Sequence, residues 1–391
     1  MSIYKIHATI RKKSFLEGVV DLTQSIKVAG KYNEAIVYNP DIDASSYQQI
    51  QAMMDREEFM DSQFRFMPDV HYGKGSTVGT TMSVSDKVVP NFIGVDIGCG
   101  VNVVELDMNK KEASDPKFLK KFDRNVRQNV PLGYNRHGKF QNAPLVEREE
   151  FLVADQLEED TFYHSIGSLG GGNHFISLEA TDSGKVYLLI HSGSRNVGHT
   201  VATIYQNLAD AQNPHKNKGE GYLEGDLYEQ YLHDLALAQK YALQNRQAMA
   251  ENILNANGID KRDQFDTVHN YIEMDTMIAR KGAISAQKGE KLVIPFNARD
   301  GSVIAKGKGN PDWNYSAPHG AGRTMSRTQA KKRIPLRDYQ EMMAGVYSTS
   351  VSKQTLDEAS SAYNEQRKIL ELAKPTIGVL EYIRPIYNLK G

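Results

Sequence analysis

Gly94-Val95-Asp96-Ile97-Gly98-Cys99-Gly100-Val101-Asn102-Val103-Val104 reads as a glycine-flanked turn that runs into a β-strand. With Val88-Val89 upstream, residues 87–105 predict strand, loop, strand. The turn carries an aspartate and a cysteine three positions apart, so both side chains can face one point. A second stretch, Val186-Tyr187-Leu188-Leu189-Ile190, is a short apolar run that ends at His191. It predicts a buried strand that delivers His191 and the glycine-rich loop after it to one edge of a sheet. Helices are expected around these strands. Leu227, Tyr231, Leu235, Ala238 and Ala242 recur at helical spacing, and Gly258 suits a helix stop. Residues 262–282 are read as a second helix that carries His269, and 327–347 and 351–373 as further helices. Residues 212–225 are read as a polar loop. Strands and helices alternate irregularly, with no internal repeat and no splitting linker. The expected architecture is therefore one large mixed α/β (α+β) domain over residues 1–391.

Composition bounds the function. The chain has 391 residues, with 47 Lys+Arg against 48 Asp+Glu, and 40% of residues are hydrophobic. That excludes a disordered chain, a fibrous repeat and a membrane bundle. No run approaches the roughly 18 apolar residues of a membrane span. The start, Met1-Ser2-Ile3-Tyr4-Lys5-Ile6-His7, lacks an apolar signal core. A single cysteine cannot form an internal disulfide, which suits a reducing, cytoplasmic setting. A net charge of −1 argues against coating nucleic acid by bulk charge, but it permits a local basic groove.

The 31 glycines cluster. Besides 94–100, they fall at Gly73–Gly79, Gly167–Gly172, Gly193–Gly198 and Gly320–Gly322, each flanked by His, Asp or Cys. Tight turns alone do not need such neighbours. A thiolate beside a carboxylate suits a borderline cation such as Mn, Zn, Fe or Co. His71, His174, His191, His269 and His319 sit in Gly-, Asn- or Asp-rich contexts. With Asp96 and Cys99, several of them make a two-metal cluster credible. Ser192-Gly193-Ser194-Arg195-Asn196 and Gly320-Ala321-Gly322-Arg323, followed by Ser326-Arg327, have the composition of anion nests with arginine. Neither is a Walker loop. His319 stands out, because an imidazole nitrogen can attack phosphorus if an acceptor holds its other nitrogen. Asp69 is the candidate acceptor.

Taken together, Pro68-Asp69-Val70-His71, Val95-Asp96-Ile97-Gly98-Cys99-Gly100-Val101, Gly172-Asn173-His174-Phe175 and His191-Ser192-Gly193-Ser194-Arg195 resemble the RtcB family of GTP- and manganese-dependent RNA ligases. So do Ala242-Leu243-Gln244-Asn245-Arg246-Gln247, His269-Asn270, Arg280-Lys281-Gly282-Ala283 and His319-Gly320-Ala321-Gly322-Arg323 with Ser326-Arg327. The likeness runs from about residue 65 to Lys390-Gly391, in the family's order, and resembles a shorter, bacterial-type branch.

The resemblance implies mixed sheets surrounded by helices in one RtcB-like domain. It implies an enzyme that joins an RNA 3′-phosphate or 2′,3′-cyclic phosphate to a 5′-hydroxyl, in RNA repair or tRNA splicing. By motif match, His319 is the guanylylated nucleophile and Asp69 its orienting partner. Asp96, Cys99, His174, His191 and His269 hold two Mn(II) ions, with Cys99 as the bridge. Asn173, Asn270, Lys390, Gly320 and Gly322 contact GTP, and Arg195 and Arg327 bind phosphate or RNA. An archease-type activator is a possible partner. The chain also departs from the family pattern. Ser177 stands where a Glu commonly follows, Ile294–Ser302 replaces a Gly-Ser-Met type of nucleotide loop, and Ser316-Ala317-Pro318 precedes His319 without a cysteine. These changes bear on nucleotide preference. They also leave a metal-dependent RNA 3′-end phosphoesterase on the same scaffold as the second expectation.

Overall fold

A computed structural model describes residues 25–140 and 145–391. The Met1–His7 stretch read above lies outside the described residues. The chain runs through β1 (Ile26–Ala29), β2 (Glu34–Val37), α1 (Ala44–Met54), β3 (Phe64–His71) and β4 (Val78–Ser83). Next come β5 (Gly100–Asn109), the one-turn α2 (Lys110–Ala113), α3 (Pro116–Asn129) and α4 (Glu159–His164). β6 (Phe175–Ala180), β7 (Lys185–Ser192), α5 (Arg195–Gln212) and the long α6 (Asp226–Asn257) follow. β8 (Lys261–Val268), β9 (Asn270–Glu273), β10 (Ile278–Lys281), β11 (Ala283–Ser285), β12 (Lys291–Asn297), β13 (Gly301–Gly307) and β14 (Ser316–Pro318) form a β-rich stretch. The chain ends with α7 (Arg327–Arg333), α8 (Leu336–Met342), α9 (Gln366–Ala373) and β15 (Ile377–Lys390).

The fold is mixed α/β, with strands in three sheets. One has six strands in the order β1-β2-β3-β4-β10-β9, and one pairs β11 with β14. The third has seven strands, β12-β13-β15-β6-β7-β5-β8, all antiparallel. Its edges meet, because the Val293 amide of β12 donates to the Thr267 hydroxyl of β8 at 3.2 Å. Both faces of this sheet are covered, which explains why β7 reads as an unbroken apolar run. Val186, Leu188 and Ile190 pack on one side with Phe122, Val126, Met249 and Ile253 of α3 and α6. Tyr187 and Leu189 point to the other side, with Val101, Val103, Val293, Ile304 and Ile383. Alternation along a strand then puts His191 of β7 on this second side, and likewise Phe175, Ser177 and Glu179 of β6.

Local chemistry fixes the helix ends. Asp115 caps α3 by accepting from the Lys117 and Phe118 amides, and Pro116 fills the first helical position. α6 covers the predicted stripe from Leu227 to Ala242 and stops at Gly258, which is left-handed at φ 65°.

Four expectations are corrected. Residues 262–282 form three strands, not a helix. Phe265, Thr267 and Val268 favour a pleated surface, and β8 pairs along β5 with Val268 opposite Gly100. His269 therefore sits at a strand end. Val88-Val89 is no strand, and Val88 makes a single bridge to Leu223. The 327–347 helix is two short helices, broken before Leu336 by Pro335, whose missing N–H cannot continue a ladder. Of 351–373, only Gln366–Ala373 is α-helical, and tighter 3₁₀ turns occupy Lys353–Glu358 and Ser360–Ala362. Residues 213–225 form the expected loop. Among the described residues no helix is long and apolar enough to cross a membrane.

Candidate active site

The Gly94–Gly100 turn lies against the ends of β6, β7 and β8. Cys99 Sγ sits 3.3 Å from His191 Nε2 and 3.5 Å from His174 Nε2. His174 Nε2 is also 3.0 Å from Asp96 Oδ2. His191 Nε2 is 3.3 Å from His269 Nε2. The donors form two groups, Asp96–Cys99–His174 and Cys99–His191–His269, whose ligand atoms lie within 4.8 Å of one another. Cys99 belongs to both. Three imidazoles, a thiol and a carboxylate fit borderline divalent cations, as the sequence reading expected.

Second contacts aim these donors. The Asn173 carbonyl lies 3.2 Å from His191 Nδ1. A carbonyl only accepts, so it fixes the proton on Nδ1 and turns the Nε2 lone pair toward Cys99. The Ser194 amide donates to Asp96 Oδ1 at 3.1 Å. Gly193 is required beside it, because a Cβ there would lie 2.0 Å from that oxygen. Burial and the adjacent Asp96 push the Cys99 thiol well up. Burial, reinforced by neighbouring histidines, holds His191 and His269 well below their ordinary range. Burial alone would raise Asp96, but the bond from His174 wins and lowers it. The cluster thus presents neutral His191 and His269 imidazoles and a carboxylate, and a bound cation would offset the cost of the thiolate.

His319 emerges from β14, where Pro318 pairs with Ala283 of β11. Its ring centroid is 5.0 Å from that of His269. Asp69, fully buried on β3, takes three donors on Oδ2: His319 Nδ1–H at 2.7 Å, and the His319 and Gly320 amides at 3.1 Å each. The aspartate holds the His319 proton on Nδ1 and leaves Nε2 with a free lone pair. Gly322, left-handed at φ 67°, passes so close that a Cβ would lie 2.5 Å from the Asp69 carbonyl.

The two clusters share a cavity of about 410 Å³ lined by Asp96, Cys99, His191, His269, His319 and Lys281 among others. Asn173, Asn270, Gly320, Gly322, Arg327 and Lys390 also line it, so most sequence-predicted positions converge here. His174 touches Cys99 but is not among the lining residues. Arg195 points elsewhere: it donates to the Ser168 hydroxyl and the Gly133 carbonyl at 3.0 and 2.7 Å and is not among the lining residues. Asn270 braces the metal turn, donating to the Asp96 carbonyl at 3.2 Å and accepting the Gly282 amide at 3.0 Å.

Several roles were not legible in sequence. Asn245 on α6 accepts the Gly167 and Ser168 amides at 2.8 and 3.0 Å and donates to the Gly193 carbonyl at 2.9 Å. Arg246, fully buried, ties the Gly98 and Ser192 carbonyls together at 2.7 and 3.0 Å. Their quoted motif was the only signal. Lys281 is buried and donates to the Lys74, Ser76 and Asn91 carbonyls, which pins the 73–77 loop. Burial brings its ammonium down to about 7. At the far end, Glu358 accepts from Lys390 Nζ at 2.6 Å and from Arg327 Nη1 at 2.7 Å. These cations overcome its burial and hold its carboxyl low. Lys390 Nζ also lies 5.2 Å above the Phe175 ring. Ser177 is buried and donates to Glu179 Oε1 at 3.0 Å. Ile294–Ser302 is a β12–β13 hairpin whose Pro295, Phe296, Asn297 and Ala298 wall the cavity.

A shared cation-donor cluster and an aspartate-held histidine on one glycine-lined cavity fit the class of metal-dependent enzymes. Sequence comparison then gives the family. The family described as tRNA-splicing ligase RtcB matches residues 49–391. The RNA-splicing ligase RtcB of Escherichia coli K12 is 29% identical, over 83% of this chain and 89% of the relative. The tRNA-splicing ligase RtcB of Aeropyrum pernix is 25% identical, over 83% of this chain and 87% of the relative. The chain belongs to the RtcB family and is an RNA ligase.

Proposed function

We propose that this RNA ligase joins an RNA 3′-phosphate or 2′,3′-cyclic phosphate end to a 5′-hydroxyl end, using GTP and Mn(II), within a single domain over residues 1–391. The observation that carries the reading is Asp69 Oδ2 gripping His319 Nδ1 at 2.7 Å, in a cavity shared with the Asp96–Cys99–His174 and Cys99–His191–His269 donors. His319 Nε2 attacks the α-phosphorus of GTP. A P–N bond forms and the P–O bond to pyrophosphate breaks. A 2′,3′-cyclic end is first opened by water, which breaks the P–O2′ bond and frees the 2′-hydroxyl; the RNA 3′-phosphate then takes GMP from His319, and the 5′-hydroxyl displaces GMP to form the phosphodiester. Asp69 keeps the proton on Nδ1 and stabilises the ring as charge develops on it. Asp96, Cys99, His174, His191 and His269 would hold up to two divalent ions, Cys99 being a donor in both candidate groups, and such ions would supply charge neutralisation for the phosphates. Gly320 and Gly322 let backbone approach the phosphates, and Asn173, Asn270 and Lys390 contact the nucleotide. Arg327 contacts RNA phosphate, and Arg195, at the start of α5, braces Ser168 and the Gly133 carbonyl beside the site. An archease-type activator and a cytoplasmic setting in RNA repair or tRNA splicing fit this chemistry.

The test offers RNA ends of both kinds with GTP and Mn(II). Joined product that disappears without GTP supports the reading. Phosphate release without joining contradicts it, and would favour an RNA 3′-end phosphoesterase.

A further inference from the structure

Among the described residues four histidines line the cavity, and the proposed steps use three of them. His191 and His269 turn their Nε2 atoms toward each other among the cation donors, and His319 is the nucleophile. His71 is left over. It follows Asp69 by two residues on β3 and is half-buried. Its Nδ1 lies 2.9 Å from the Asp69 carbonyl. That carbonyl only accepts, so the proton sits on Nδ1 and Nε2 keeps its lone pair. Among the described residues no group bonds Nε2, and the ring borders the cavity. Asp69 therefore sets two tautomers, His319 with its carboxylate and His71 with its backbone. Burial pulls His71 below the ordinary 6.5; His319 and Arg323 pull the same way, and the Asp69 carbonyl and charge only partly oppose them. The ring is thus a neutral base with a free lone pair on the cavity wall.

The proposed sequence of joining uses three nucleophiles, and they differ in their protons. His319 Nε2 brings a lone pair, and the RNA 3′-phosphate is already anionic. Only the 5′-hydroxyl must shed a proton as it attacks. Other wall groups that titrate near neutrality are engaged: Lys281 spends its donors on three carbonyls, and the Glu179 carboxyl is taken up by the Ser177 and Ser302 hydroxyls. We infer that His71 is the general base of the sealing step and takes the proton of the RNA 5′-hydroxyl on Nε2. This rests on the ligase reading of the cavity. As the 5′-oxygen bonds to the RNA 3′-phosphorus, the bond from that phosphorus to the GMP oxygen breaks. GMP leaves as the anion, the hydroxyl proton passes to Nε2, and the imidazolium later returns it to water. The Nδ1–H bond to the Asp69 carbonyl strengthens as the ring charges, so the contact that sets the tautomer also supports the base.

The test gives the full chain α-labelled GTP, Mn(II), a 5′-hydroxyl RNA end and a 3′-phosphate RNA end, so that opening of a cyclic end plays no part. A denaturing gel then follows three species in time: labelled protein, the GMP-capped 3′ end and the joined strand. His71→Ala should slow sealing about 10²- to 10⁴-fold, the usual worth of a positioned base, so that the capped end accumulates. Labelling and capping should fall far less. Added imidazole should restore part of the sealing, which a merely structural role would not allow. His71→Asn keeps a donor for the Asp69 carbonyl but offers no base, and it carries the test if His71→Ala does not fold. Sealing at the wild-type rate, or sealing that falls no more than capping does, would overturn the inference and leave the ligase reading intact. A wild-type chain that makes neither the capped end nor the joined strand would overturn both.

Discussion

The two ends of the cavity are built differently. At one end the candidate metal donors come from strand termini and glycine turns and are aimed by backbone: the Asn173 carbonyl on His191 and the Ser194 amide on Asp96. At the other end side chains hold one another, with Glu358 between Lys390 and Arg327 and Glu179 beside Ser302. Backbone-aimed groups have few ways to be wrong and suit chemistry that needs fixed distances. Side-chain networks tolerate change and suit selectivity.

The contrast can be broken by mutation. The largest effect is expected at Cys99, the shared donor. Cys99→Ser should lower ligation at least a hundredfold and weaken Mn(II) binding, while metal-free stability shifts by less than about 1 kcal/mol. Calorimetric metal titration beside a melting curve checks this. Unchanged ligation would remove Cys99 from the site. Next is Arg246, which joins the Cys99 turn to the Ser192 loop from a fully buried position and pairs with Asp266. Arg246→Ala leaves buried acceptors unpaired and should cost about 3–5 kcal/mol in denaturant unfolding.

The smallest effect lies at the side-chain end and depends on pH. The folded pKa of Glu179, about 7, is raised above the ordinary 4.5. Its contribution to stability is therefore full below pH 4.5 and is lost as pH rises to 7. Glu179→Gln does not titrate, so its stability should gain on the wild type across that window, by up to about 3 kcal/mol. A gap that stays flat with pH would mean that the carboxyl is not buried in this way.

Legibility in the sequence followed the same division. Asp96, Cys99, His174, His191 and His319 could be read because glycine clusters beside metal-type side chains are rare in ordinary packing. The β7 run and the α6 stripe were legible because burial on one or two faces leaves a period in the sequence. His269 was placed on a helix, since strands β8 to β10 are half-polar and their pairing with β5 and β4 is non-local. Glu179 and Glu358 gave no local signal. A carboxylate on a strand or in a 3₁₀ turn looks solvated until the residue that covers it, here Ser302 or Lys390 from far along the chain, is known. The cation at 195 resembled a phosphate ligand by composition, yet its guanidinium is spent on Ser168 and Gly133.

The central claim is that Asp69 and His319 form a nucleophile that carries the nucleotide. Incubation with α-labelled GTP and Mn(II), followed by denaturing separation and peptide mapping, tests it most directly. The account predicts an acid-labile label on the peptide that contains His319, absent in His319→Ala and strongly reduced in Asp69→Asn. Equal labelling of the wild type and His319→Ala would contradict it.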